Sequence, residues 1–240
     1  MHPINLWHQL HLHWRKISLI FLISTLGSHF SHAQKVFNLP NYDDKILHFG
    51  FYLALNSNAF EVTPSSYFVA KKDSIVSIAA PWAGGAMLGF IVSVRFNDYL
   101  DLRILPGVSF TERSLNYQFA NNTKVSQKFE ATYVEIPLML KYKSKRRGNA
   151  RMYVLGGGKM TISANTKKKD IKPDQVRLEN MGFGVEYGFG FDIYNEMFKF
   201  APEIRFSHGF SNMAIPDQYV FSKSLQSISL HTITLYFNFE

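Results

Sequence analysis

The sequence predicts an all-β fold: an eight-stranded antiparallel transmembrane β-barrel. Three observations carry this reading. The first is the hairpin Met181–Phe210. Phe183, Val185, Tyr187, Phe189, Phe191 and Ile193 share one phase of a strict period of two, while Gly182, Gly184, Glu186, Gly188, Gly190 and Asp192 share the other. Such alternation is a strand with two unlike faces. Large apolar residues turned outward, with glycines and isolated carboxylates turned inward, suit a membrane barrel better than a soluble antiparallel sheet. The second observation is composition: 15% aromatic residues, 22 of them Phe, against 18% charged. The third is the spacing of connections, which alternate long and short along the chain, as in outer-membrane barrels with long external loops and short periplasmic turns.

Each strand is read from its own alternation. The first, about Ile46–Asn56, puts Leu47, Phe49, Phe51, Leu53 and Leu55 outward and His48, Gly50, Tyr52, Ala54 and Asn56 inward. Ser57–Gly85 is a long connection with Pro64 and the apolar run Ile75–Trp82. The second strand, about Ala86–Phe96, turns Leu88, Phe90, Val92, Val94 and Phe96 outward and Ser93 and Arg95 inward. A tight turn at Asn97-Asp98-Tyr99 leads to a third strand from Leu100 to about Gln118. Pro106 inside it marks a bulge or a broken ladder, because proline cannot donate to the ladder. Phe119–Glu130 reads as a polar loop.

The fourth strand, Tyr133–Lys143, turns Val134, Ile136, Leu138, Leu140 and Tyr142 outward, with Glu135, Met139 and Lys141 inward. After the basic turn Ser144–Ala150, a fifth strand, about Arg151–Asn165, contains Gly156-Gly157-Gly158. No helix pattern follows these glycines, so they read as a bend in a curved sheet and not as a phosphate cradle. Thr166–Asn180 is a basic loop with Lys167-Lys168-Lys169. The hairpin Met181–Phe210 gives strands six and seven. After the loop Ser211–Ser224, Leu225–Glu240 is the eighth, with Ile233, Leu235, Phe237 and Phe239 in one phase. Strands of roughly 10 residues span a bilayer at barrel tilt.

By phase, Arg95, Arg103, Glu135, Lys141, Glu186, Asp192, Glu203 and Arg205 point into the lumen. Eight strands leave an interior just wide enough for side chains to fill. Charges placed there must pair, since isolated buried charges are costly. The expected result is an OmpA-like barrel with a filled polar lumen, monomeric and without a general pore.

No catalytic residue, metal site or cofactor is expected. Ser207 and His208 are adjacent in one strand and point to opposite faces, so they cannot act as nucleophile and base. His231 lies in the outward phase and His48 in the inward one. No serine-nucleophile motif or metal-ligand spacing occurs. The chain contains no cysteine, which rules out disulfide and thiol chemistry.

Met1–Ala33 has the features of a cleaved secretory signal: Arg15 and Lys16, the apolar Ile17–Gly27, and Ser31-His32-Ala33 at the cleavage position. Residues 34–45 then form a polar, extended periplasmic lead-in, and residues 46–240 the barrel of an outer-membrane protein. The formal charge of +8 falls by two when the leader is removed. For an exported protein, the partners implied by that excess are outer-membrane lipid and lipopolysaccharide, not nucleic acid. Within the first long connection, Ile75, Ile78 and Trp82 form a candidate partner surface, since an exposed apolar run marks an interaction site.

Two stretches carry a family resemblance. Asn38-Leu-Pro-Asn-Tyr-Asp-Asp-Lys-Ile-Leu-His-Phe-Gly-Phe-Tyr-Leu-Ala-Leu-Asn56 resembles the start of mature PorT-family proteins, and Tyr133-Val-Glu-Ile-Pro-Leu-Met-Leu-Lys-Tyr-Lys143 is similar to a segment of the same family, though shared more widely among small Bacteroidota barrels. The resemblance implies a non-enzymatic outer-membrane protein of the type IX secretion system. Its implied partners are other subunits of that system, and its implied role is in export of cargo with a C-terminal secretion domain, including gliding adhesins. It supplies no catalytic residues. One departure is Glu240 as the last residue, where outer-membrane barrels commonly end on an aromatic; Phe239 precedes it.

Overall fold

In a computed structural model, which describes residues 37–70, 75–164, 176, 178–217 and 220–240, alternation becomes a ring of antiparallel strands. The strands are β1 (Leu47–Pro64), β2 (Ile75–Ala79), β3 (Ala83–Arg95), β4 (Leu100–Ile104), β5 (Gly107–Phe119), β6 (Lys124–Lys143), β7 (Ala150–Ser163), β8 (Met181–Tyr194), β9 (Lys199–Gly209) and β10 (Leu225–Phe239). Two short helices, α1 (Ser66–Ala70) and α2 (Val220–Lys223), lie in the long connections. No described helix is long and apolar enough to cross a membrane.

The ring closes because β1 has two partners. It pairs with β10 from Phe51↔Phe239 to Pro64↔Leu225, and with β3 from Leu47↔Val94 to Asn58↔Ala83. β4 and β5 are one stave: both pair with β3 on one side and β6 on the other. The break between them falls at Leu105-Pro106, where the proline carbonyl accepts from Phe90 N (2.9 Å) and Leu105 is fully buried. Counting that pair once, eight staves form the barrel, and β2 is an extra strand paired to β5 above it.

Several strands run farther than alternation of the lipid-facing residues suggests. β1 continues to Pro64, and the segment expected as a polar loop at Phe119–Glu130 is mostly the tip of a tall β5–β6 hairpin turning at Asn121-Asn122. Asn122 takes φ 61°, a left-handed conformation that asparagine tolerates. The reason for the extra length is a reversal of polarity along each strand. Low on β1, β5 and β10, the exposed outward residues are Leu53, Leu55, Phe110 and Leu235. Higher up, the outward positions become Glu61, Glu112, Asn116 and Ser229, while the inward ones become Phe60, Leu115, Tyr117 and Ile228. A strand leaving lipid for water must exchange its apolar face, and these strands do so.

The inward apolar residues of the upper parts form a second core. Phe60, Ile75, Leu115, Tyr117, Val176, Met213, Leu225, Ile228 and Leu230 pack together as a dome on the long-loop end. This overturns Ile75 and Ile78 as a partner surface. Ile75 is buried in the dome and Ile78 packs against it; only Trp82 of that set is exposed. Paired to β5 through β2, the run buries its own apolar side chains.

The expected signal segment and the Lys167–Lys169 run lie outside the described residues. At Gly156–Gly158, β7 runs unbroken between β6 and β8, with close backbone approach on one side only. A Cβ on Gly157 would stand 2.0 Å from the Leu138 carbonyl oxygen, whereas one on Gly156 meets nothing within 4 Å. Gly157→Ala is therefore expected to lower the stability of the refolded barrel by about 1–3 kcal/mol, and Gly156→Ala to change it little. Urea-unfolding midpoints measure the difference, and equal midpoints would show that the bend relaxes freely.

Candidate functional site

The lumen is the most elaborate feature of the molecule. Strand phase sends charged side chains inward from β4, β6, β7, β8 and β9, and closure brings them within reach of one another. Arg103 binds Glu203 (Nη1–Oε1 2.5 Å) and Glu240 (Nη2–Oε1 2.8 Å). Glu203 also receives Arg205 Nε at 2.7 Å and the Tyr153 hydroxyl at 2.6 Å. Arg205 reaches on to Glu186 at 3.0 Å, and Lys159 lies between Glu186 (3.4 Å) and Glu135 (3.1 Å). In the other direction Lys199 joins Glu240 (2.9 Å) to Asp192, which also holds Lys141 (2.7 Å) and Arg151 (2.8 Å). All these side chains are buried. Lys143 and Asp101 form a separate buried pair at 2.5 Å.

Seven of the eight inward charges read from phase enter this continuous network. Arg95 does not. It lies at the short-turn rim, partly exposed, bonded to Asp98 and to the Asp43 carbonyl. Sequence reading missed Asp101, Lys143, Arg151, Lys159, Lys199 and Glu240. Asp101, Lys143 and Lys199 share the phase of Arg103, Lys141 and Glu203 on their strands, so extending those alternations finds them, whereas Arg151 and Lys159 lie on β7, whose two faces were not assigned from the sequence. Glu240 lies one residue past β10, and its inward carboxylate explains why Phe239, next to it, carries the outward aromatic position.

The network continues into a cap. Residues 37–45 were expected to be extended; they instead form a series of turns across the short-turn end of the barrel. Three things drive them there. Asn38 donates through Nδ2 to the Tyr194 carbonyl (3.0 Å) and through its amide to Asn149 Oδ1 (3.0 Å). The Arg146 guanidinium stacks between Phe37 (3.9 Å) and Tyr194 (3.5 Å) and donates to the Leu39 carbonyl at 3.2 Å. Asp43 accepts from the Tyr194 hydroxyl (3.0 Å) and pairs with Arg151 (3.0 Å), which ties the cap to Asp192 inside. Leu39 is held at φ 49°, a left-handed conformation costing a side-chain-bearing residue roughly 1–2 kcal/mol. Burial alone raises the Asp43 carboxyl, but Arg151 and the Tyr194 hydroxyl outweigh it and hold the group below the usual carboxylate range.

The model for the outer membrane protein beta-barrel domain matches residues 32–214. The chain belongs to that family. It resides in the outer membrane. No curated protein matches it. Solved structures to which it is distantly similar include three barrels. The outer membrane protein OprG from Pseudomonas aeruginosa is 14% identical, with a TM-score of 0.42, covering 79% of this chain and 93% of that one. Neisserial surface protein A is 10% identical, with a TM-score of 0.39, covering 78% and 95%. The N-terminal barrel domain of Pseudomonas aeruginosa OprF is 10% identical, with a TM-score of 0.33, covering 78% and 96%.

On this outer-membrane barrel, the histidines lie at the rims. His48 stacks on Tyr42 at the capped end, its ring nitrogen 2.8 Å from the Tyr42 carbonyl. At the other end an outward chain crosses four strands: Tyr187 to His208 (3.1 Å), His208 to His231 (2.8 Å) and His231 to Glu61 (2.5 Å). It marks the level where the outer wall turns polar. Ser207, next to His208, is buried on the lumen side. Among the described residues no cluster of His, Asp or Glu is arranged to hold a metal ion.

Two outcomes are expected. Glu186→Ala strips partners from both Arg205 and Lys159, and breaking a buried pair costs about 3–5 kcal/mol because a charge is left behind. The refolded variant should melt clearly below one carrying the outward change Ile193→Leu; equal melting temperatures would argue against a packed network. The second concerns the cap. Because the docked Asp43 carboxyl lies below its unperturbed value of 3.8, its contribution is complete above that pH and is lost as pH falls through the docked value. Hydrogen exchange over residues 37–45 should stay slow from neutral pH down to about pH 5, and Asp43→Asn should quicken it throughout that range.

Proposed function

We propose that this chain is a non-enzymatic accessory protein of type IX secretion, acting in assembly or stabilisation of the translocon and not as a conduit. The observation that carries the reading is the continuous ion-pair network from Glu135 to Asp43, which occupies the lumen from the cap up to Glu135. A lumen blocked in this way leaves the wall and rims as the surfaces for secretion partners.

The capped rim supports the finer assignment. The stretch that most resembles the PorT family, Asn38–Asn56, is the stretch that folds across the short-turn end and leads into β1. On the periplasmic side, this built surface is the proposed contact for other secretion subunits, while the exposed apolar wall takes outer-membrane lipid and the outer rim meets lipopolysaccharide. The barrel acts as a monomer. Cargo with a C-terminal secretion domain, gliding adhesins among it, is the proposed beneficiary.

Deletion of the gene, with comparison of secreted and periplasm-trapped proteins, tests this directly. Trapped cargo, restored to the medium by the intact gene, is the expected result, together with no stable large conductance from the pure protein in planar bilayers. Normal secretion in the deletion strain would reject the reading in favour of a general OmpA-like barrel that binds lipid or protein, and hydrolysis of lipid A by the pure protein would favour a lipid-modifying enzyme.

A further inference from the structure

Among the described residues, every buried lysine and arginine holds a carboxylate except one. Arg103, Lys141, Lys143, Arg151, Lys159, Lys199 and Arg205 are all ion-paired. Arg113 on β5 is 2% exposed, and its Nε, Nη1 and Nη2 have no hydrogen-bond partner. Its guanidinium lies 4.6 Å from the centre of the Tyr133 ring and 5.5 Å from that of Phe60. Ring faces attract the cation but satisfy none of its N–H groups. A guanidinium withdrawn from water without an acceptor is among the costliest arrangements a fold can keep.

The position of Arg113 is defined by register. Below it lies the ion-pair network, whose uppermost carboxylate, Glu135, pairs across from Gly107, six residues earlier on β5. Above it, Leu115 and Tyr117 enter the apolar dome. Around it the lumen is polar, with the Glu135 carboxylate below as the charged group whose field reaches it. Asn58 accepts from Thr232 (2.9 Å) and donates to Asn56 (2.8 Å), which donates to Ser109 (3.1 Å). Thr111, two residues before Arg113 on the same face, keeps a buried hydroxyl with no partner.

We propose that this level of the lumen is an anion-binding site anchored on Arg113, built for a small oxyanion such as phosphate or a carboxylate. Phosphate and carboxylate oxygens match the guanidinium fork in two parallel charge-assisted hydrogen bonds, which a water molecule cannot do. The Thr111 hydroxyl supplies a further donor from the same strand. The two rings hold the guanidinium in place, so little side-chain freedom is lost when the anion binds. The dome excludes bulk water from above, which strengthens the pairing and restricts the ligand to a small one. This site is distinct from the capped rim proposed to meet secretion subunits and does not depend on that assignment.

The test uses the full barrel purified in detergent, melted in inorganic phosphate, in acetate and in chloride at matched ionic strength. Phosphate or acetate should raise the melting temperature above that in chloride, as expected for a ligand bound only by the folded state. Arg113→Met, which replaces the charge by an apolar chain of similar reach, should lose this anion-specific rise, and Arg113→Lys should keep a reduced one. Wild-type protein with the same melting temperature in all three salts would overturn the proposal and leave a solvated arginine in its place. A rise retained in Arg113→Met would also overturn it. If Arg113→Met does not fold, the wild-type comparison and Arg113→Lys decide: a rise of equal size in both places the anion elsewhere and rejects the site.

Discussion

An unpaired charge is costly in a narrow barrel, and most of this structure follows from that constraint. Eight staves give an interior that side chains must fill. This sequence fills it with arginines, lysines and carboxylates in place of an apolar core, so each must meet an opposite charge at hydrogen-bonding distance or cost several kcal/mol. Bidentate and bridging geometry meets the requirement economically: Glu203 serves Arg103 and Arg205, and Asp192 serves Lys141 and Arg151. The tyrosines of the same interior, Tyr153 and Tyr236, cover the cations with their rings, at 3.6 Å from Lys141 and 4.0 Å from Arg205.

The same constraint explains the two ends. At the capped end Arg151 has a charge to share beyond Asp192, and Asp43 supplies the acceptor from outside the strands. The cap is thus an electrostatic continuation of the lumen, folded from residues whose composition resembles a loop. At the other end, the charges stop and an apolar dome begins, because there the strands have left the bilayer and can turn polar residues to water. Arg113 lies where the two regimes meet.

Much of this was legible in the sequence. Alternation in β8, read as Phe183 to Ile193 against Gly182 to Asp192, predicts both faces of the wall, because in a barrel the period of two has no other physical meaning. Pro106 signals the break in its stave for the equally local reason that it lacks an N–H. What could not be read was any contact made by a residue outside the alternating runs. Asp43 is a polar residue in a turn-rich segment, and only closure of the ring brings Tyr194 and Arg151 under it. Nor did the apolar run at Ile75 announce its own burial. An apolar stretch in a long connection has the same composition whether it is exposed to a partner or covered by a dome, and the pairing of β2 with β5 decides the matter.

The origin of each network partner also bears on the order in which the barrel can form. Arg103 is on β4; its carboxylates come from β9 and from the residue after β10, 100 and 137 positions along the chain. The β7–β8 hairpin pairs Arg151 with Asp192 and Lys159 with Glu186 on its own lumen face, but no hairpin neutralises Arg103. A sheet not yet closed would leave Arg103 bare, and lipid penalises such a charge strongly. Closure of β1 on β10 brings the two ends of the sheet together and with them Arg103 to Glu203 and Glu240. The seam and this part of the charge network therefore complete one another.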